Sequence, residues 1–147
     1  MKKSNILRGL ATSCFYADDL SAARKWYAEF LGIDSYFAFP PSGDPAYIEF
    51  RLGDYEHELG FIDAKYAPHA KTEPGGAITY WHVDDVEATY ARLLELGATT
   101  FEPVMARSDS GFVTASVVDP FGNVLGIMYN PHYIDILKSV APEKTDS

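Results

Sequence analysis

The chain has 147 residues, 47% of them hydrophobic and 22% charged, the size and composition of one ordinary globular domain and not of a disordered or fibrous chain. A formal net charge of −9 opposes phosphate backbones, so nucleic acid is not an expected partner, and no apolar run approaches the roughly 20 residues of a bilayer crossing, so no membrane association is expected. Cys14 is the only cysteine, which rules out an internal disulfide, and Met1 to Asn5 leads into no signal-type apolar core; the expected compartment is the cytoplasm.

Leu10 to Tyr16 is an apolar run suited to a buried strand, and Asp18 or Asp19 then supplies a helix N-cap. Leu20, Ala23, Trp26, Tyr27, Phe30 and Leu31 recur at three- and four-residue steps, which predicts a helix with one apolar stripe, stopped at Gly32. A short strand near Ile33 to Phe39 and a loop marked by Phe39-Pro40-Pro41-Ser42-Gly43 follow. Tyr47 to Leu52 and Glu56 to Ile62 then read as a hairpin around Gly53-Asp54-Tyr55, completing a βαβββ unit.

The second half repeats the order. Ala77 to Val83 reads as a strand, Asp84 or Asp85 as a cap, and Val86, Tyr90, Leu93 and Leu94 as a helical stripe ending at Gly97. Thr99 to Met105, Phe112 to Val118 and Val124 to Tyr129 read as strands, the last two joined by an Asp119-Pro120-Phe121-Gly122-Asn123 turn. Pro131 to Val140 is a short apolar helix or strap, and Ala141 to Ser147 is polar enough to fray.

The halves align at an offset of 66 residues (85 − 19), which sets Asp18-Asp19-Leu20 on Asp84-Asp85-Val86 and Ala22 on Ala88. The same offset sets Leu59-Gly60-Phe61-Ile62 on Leu125-Gly126-Ile127-Met128. Solenoid repeats run at roughly 20 to 50 residues, so this period indicates two similar half-domains. The fold class is therefore α+β: one domain over 1–147, built of two βαβββ modules in tandem, the first over about 8–63 and the second over about 76–132, with a tail over 133–147.

Asp84-Asp85-Val86 with Ala88, Leu94-Glu95-Leu96-Gly97-Ala98, and Val118-Asp119-Pro120-Phe121-Gly122-Asn123-Val124-Leu125-Gly126 together resemble the vicinal oxygen chelate superfamily of glyoxalases, bleomycin-resistance proteins and ring-cleaving dioxygenases. The resemblance implies two curved, mainly antiparallel sheets with their helices outside, facing each other around a cleft, and a homodimer. It also implies where metal-dependent relatives place their ligands: on the first and last strands of each half. Here those positions hold Thr12, Ile78, Gly60 and Gly126, a set that lacks the three or four donors a divalent ion needs within about 2.0 to 2.5 Å. Ala11, Ser13, Ala77, Thr79, Leu59, Phe61, Leu125 and Ile127 flank them and rescue nothing, while Glu58, His57 and His82 have no repeat partners. No metal and no cofactor is expected.

Side chains alternate faces along a strand, so Thr12 shares a face with Leu10, Cys14 and Tyr16, and Ile78 with Tyr80 and His82. Glu58, Gly60 and Ile62, like Val124, Gly126 and Met128, join those faces, and Trp81 and Phe61 turn toward the helices. The glycines are expected to leave room. The candidate ligand-binding residues are Thr12, Cys14, Tyr16, Arg51, Ile78, Tyr80, His82 and Met128, with Arg51 paired to Glu49 and Cys14 a buried, inert thiol; no catalytic set emerges. The leading expectation is a metal-free small-molecule-binding protein that sequesters an aromatic or cationic compound. The alternative is an enzyme, of lyase, isomerase or dioxygenase-like chemistry, working in the same cleft through groups such as His82, Tyr80 or Glu49, with or without an unorthodox metal site.

Overall fold

The computed structural model describes residues 2–140. The expected fraying tail, Ala141 to Ser147, lies outside the described residues. The chain divides into two compact units, Met1–Thr72 and Glu73–Ser147.

The first unit carries β1 (Thr12–Ala17), α1 (Leu20–Leu31), β2 (Phe37–Phe39), β3 (Tyr47–Leu52) and β4 (His57–Asp63), followed by a single 3-10 turn at Ala64–Tyr66. The strands form one mixed sheet in the order β1-β4-β3-β2, with β1 parallel to β4 and the other pairs antiparallel. Asp19 caps α1 by accepting from the Ala22 amide, and Gly32 ends it at φ 75°, a left-handed backbone that glycine adopts without strain. The helix lays Leu20, Ala23 and Tyr27 on one face of the sheet, where Phe61 is fully buried with ring centroids 4.5 Å from Tyr27 and 6.0 Å from Phe50. Truncating a buried ring such as Phe61 to alanine costs about 3 to 5 kcal/mol, so this aromatic cluster fixes which face of the sheet is the core.

The second unit carries β5 (Tyr80–His82), α2 (Val86–Glu95), β6 (Thr99–Ala106), β7 (Val113–Val118), β8 (Val124–Tyr129) and α3 (Pro131–Val140). Its sheet has the order β5-β8-β7-β6, again with one parallel pair, β5 with β8. Asp85 caps α2 through the Ala88 amide, and Val86, Leu93, Val117, Leu125 and Ile127 are buried. In the turn before β8, the buried Asp119 carboxylate accepts from the amides of Phe121 and Asn123, 2.9 and 2.8 Å away, which satisfies its charge locally. Two α+β modules of like topology are thus present.

Several boundaries differ from the sequence reading, among them β2, which starts at Phe37 and not near Ile33. β1 begins at Thr12 and not at Leu10, because Thr12 pairs with Glu58 at the start of β4 and leaves Leu10, half exposed, without a ladder partner. β5 is only Tyr80–His82: Pro74 lacks an amide hydrogen and Gly76 turns the chain at φ 80°, so extended pairing starts late. β6 slips register between Thr100 and Met105, around Pro103, which an edge strand tolerates.

Candidate functional site

In the first unit the face turned away from α1 is organised in three rows that cross the sheet. One row is Thr12, Glu58 and Arg51; the next is Cys14, Gly60, Glu49 and Phe37; the third is Tyr16, Ile62, Tyr47 and Phe39. Thr12, Cys14, Tyr16 and Arg51 therefore share one surface, as the alternation of strand side chains requires.

The polar groups of this surface are bonded to one another. The Thr12 hydroxyl donates to Glu58 Oε2 at 2.7 Å, and Arg51 Nη2 stands 3.5 Å from Glu58 Oε1. Arg51 also donates to the Tyr36 hydroxyl at 3.0 Å and to the Glu56 carbonyl at 3.1 Å, with its guanidinium 4.7 Å over the Tyr36 ring. Its acidic partner is Glu58 and not Glu49, because Glu49 is two residues away along the same strand whereas Glu58 is directly opposite in the register. Glu49 instead accepts from the Tyr47 hydroxyl at 2.5 Å.

Charge and desolvation follow from this geometry. Partial burial, then the charge of Glu58 and a hydrogen bond to it, hold the Glu49 carboxyl above the usual carboxylate range, with Arg51 opposing. The Cys14 thiol is exposed, which corrects the expectation of a buried one. Loss of hydration, then the carboxylates of Glu49 and Glu58, push it up, so it stays protonated and weakly nucleophilic. Desolvation, then Cys14 and Glu58, raise the Tyr47 phenol as well.

Gly60 makes no room. A Cβ built there would stand 2.5 Å from the Tyr47 hydroxyl oxygen and 2.8 Å from Cε2, because the phenol lies across the glycine. In the second unit a Cβ on Gly126 would stand 2.8 Å from the Thr79 carbonyl oxygen and 2.9 Å from Ile78 Cγ2. The place of a ligating side chain is occupied in both modules, by a phenol in one and by the chain ahead of β5 in the other. The Thr12 hydroxyl is committed to Glu58. No group of three or more His, Cys, Asp or Glu side chains among the described residues is arranged to hold a metal ion, and these four positions do not fit one.

In the second unit Tyr80 and His82 share a face with Gly126 and Met128, while Ile78 precedes the strand. Tyr80 is 37% exposed, but His82 is covered by α3: its ring stacks on Tyr133 with centroids 4.6 Å apart, and its Nδ1 accepts from the Asn130 amide at 3.2 Å. His82 Nε2 lies 3.9 Å from an Asp84 carboxylate oxygen. Across the sheet, Arg107 donates to Thr114 at 2.8 Å and to Glu102 at 3.0 Å.

Tyr47 and Tyr36 were absent from the sequence reading of the site. The hairpin centre at Asp54-Tyr55 carried the signal, since pairing residues equidistant from it sets Glu49 on Gly60 and Tyr47 on Ile62.

The family model described as "Glyoxalase/Bleomycin resistance protein/Dioxygenase superfamily" matches residues 9–127. Among solved structures, a glyoxalase-related enzyme from Fulvimarina pelagi is 23% identical with a TM-score of 0.65, over 85% of this chain and 90% of that one. A lactoylglutathione lyase from Agrobacterium tumefaciens is 21% identical with a TM-score of 0.62, over 84% and 94%. TioX from Micromonospora sp. ML1 is 15% identical with a TM-score of 0.62, over 82% and 98%. At these identities the likeness is one of fold. No curated protein sequence is similar enough to count as a match.

Proposed function

We propose, from the premise that the chain belongs to the glyoxalase/bleomycin resistance protein/dioxygenase superfamily, that it is a metal-free small-molecule-binding protein whose ligand is an aromatic or cationic compound. The observation that carries this reading is the face of the first sheet away from α1. Phe37 and Phe39, 46% and 62% exposed, stand beside Tyr47 on the same surface as Glu49 and Glu58. Rings that a flat molecule can cover, next to carboxylates that a cation can neutralise, are the groups such a ligand needs.

A melting screen with divalent ions and with N-methylquinolinium, a flat aromatic cation, tests it. Ligand at one hundred times its Kd stabilises by about 2.7 kcal/mol, so the aromatic cation is expected to raise the melting temperature and the divalent ions are not. A shift produced by divalent ions alone overturns the reading.

The alternative is an enzyme working on the same surface without a metal. It is favoured by one observation: two carboxyl groups in unlike surroundings share this face, Glu49 bonded to the Tyr47 hydroxyl and Glu58 to the Thr12 hydroxyl and Arg51. Turnover by the metal-free chain that is lost in Glu49→Gln supports it. The reading takes the protein to be a cytoplasmic homodimer without nucleic-acid or membrane partners. The net charge of −9 supports the exclusion of nucleic acid, and no helix among the described residues is long and apolar enough to cross a membrane. Sedimentation of the purified chain tests the dimer.

A further inference from the structure

On the face of the first sheet away from α1, Gly60 lies between Cys14 and Glu49 in one row and raises no side chain of its own. Tyr47 pairs with Ile62, the next residue of β4 on that face, and a diagonal of this kind is within reach of an aromatic side chain. Its ring lies down on the glycine: a Cβ there would stand 2.5 Å from the hydroxyl oxygen, 2.8 Å from Cε2 and 3.0 Å from Cζ. The hydroxyl donates to Glu49 Oε1 at 2.5 Å, and Phe37 meets the ring at 60° with centroids 6.2 Å apart. A bare stretch of backbone under a flat ring, a carboxyl at the ring's edge and a second ring alongside are the contacts an aromatic ligand needs. The chain supplies them to its own phenol.

Tyr47 is half-buried, and its phenol is the far end of a side chain that turns about two bonds, so it can leave without breaking the ladder between β3 and β4. We propose that the Tyr47 phenol is an internal occupant of the ligand seat, displaced when an aromatic compound with a hydrogen-bond donor on its rim lies on Gly60 and donates to Glu49. This rests on the reading that this face binds the ligand, and it makes Tyr47 the residue that sets affinity and selectivity. Every ligand must replace the bond that Tyr47 gives to Glu49, and a ring without a donor leaves that bond unmade.

The test uses the full chain at neutral pH with two flat cations, 4-aminoquinoline, whose amino group donates, and N-methylquinolinium, which has no N–H or O–H. In the free wild type, nuclear Overhauser contacts are expected between the Tyr47 ring protons and the Gly60 Hα, and saturation with 4-aminoquinoline is expected to abolish them. In calorimetric titration 4-aminoquinoline is expected to bind Tyr47→Ala about tenfold more tightly than the wild type, since one hydrogen bond no longer has to be exchanged. Tyr47→Phe, which keeps the ring and loses that bond, is expected to fall between them. N-methylquinolinium is expected to bind the wild type about tenfold more weakly than 4-aminoquinoline, and equal affinities overturn the need for a donor. Ring contacts that persist in the saturated complex, or no gain in affinity in the two variants, overturn the inference: Tyr47 then only shields the glycine, and the binding reading stands. If Tyr47→Ala does not fold, the ring contacts in the wild type and the affinity of Tyr47→Phe decide. Failure of both compounds to bind the wild type and the variants overturns the inference and the binding reading together.

Discussion

The Tyr47 phenol lies across the backbone of Gly60, close enough that a methyl group on Gly60 would stand 2.5 Å from its hydroxyl oxygen. Gly60→Ala must therefore displace the ring and its bond to Glu49. The neighbour is the far end of a side chain, which can swing, so a loss of about 1 to 2 kcal/mol is expected in denaturant unfolding. In a Tyr47→Ser background the same substitution is expected to cost much less; equal costs in the two backgrounds refute the packing argument.

Gly126→Ala is expected to be the more damaging of the two glycine substitutions. The added Cβ would meet a backbone carbonyl, Thr79 O at 2.8 Å, whose own lone pair accepts from the Gly126 amide. Backbone cannot rotate aside as a phenol can, so relief requires β5 to part from β8, at about 3 kcal/mol or more. Denaturation curves showing Gly126→Ala to be as stable as Gly60→Ala contradict this ranking.

Glu49 sets a pH dependence of defined sign. Its carboxyl is raised above 4.5 in the folded chain, so as pH rises from 4.5 the unfolded chain surrenders this proton first and the folded state loses stability until the raised value is passed. Glu49→Gln lacks this loss. Its melting temperature is expected to gain on the wild type as pH rises from 4.5, and a gap that does not change with pH counts against the raised carboxyl.

The stacked pair His82 and Tyr133 ties α3 to β5. His82→Ala removes the stack and the acceptor for the Asn130 amide, at about 1 to 2 kcal/mol. The expected signature is faster hydrogen exchange over Pro131–Val140 with core amides of β7 and β8 little changed. Uniform acceleration across the second unit speaks against a local tie.

Much of the fold was legible because its determinants are local. The caps at Asp19 and Asp85, the stop at Gly32 and the Asp119 turn each act through hydrogen bonds spanning a few residues, and the offset of 66 showed that the caps recur. Strand alternation, which depends only on the pleat, placed Thr12, Cys14 and Tyr16 on one face, and the register agrees. Counting on from the closing turns to the positions that the family resemblance implies also identified Gly60 and Gly126 as lacking a side-chain donor.

What fills the space above those glycines was not legible. It depends on which strand lies alongside: β3 brings Tyr47 over Gly60, and the segment before β5 closes on Gly126. The exposure of Cys14, the partner of Arg51 and the covering of His82 by α3 have the same origin. Sequence periodicity decides which way a side chain points, because that is set by its own backbone. Only the tertiary structure decides what it meets there, because contact energies join residues that the chain separates by tens of positions and the pairing of strands chooses among them.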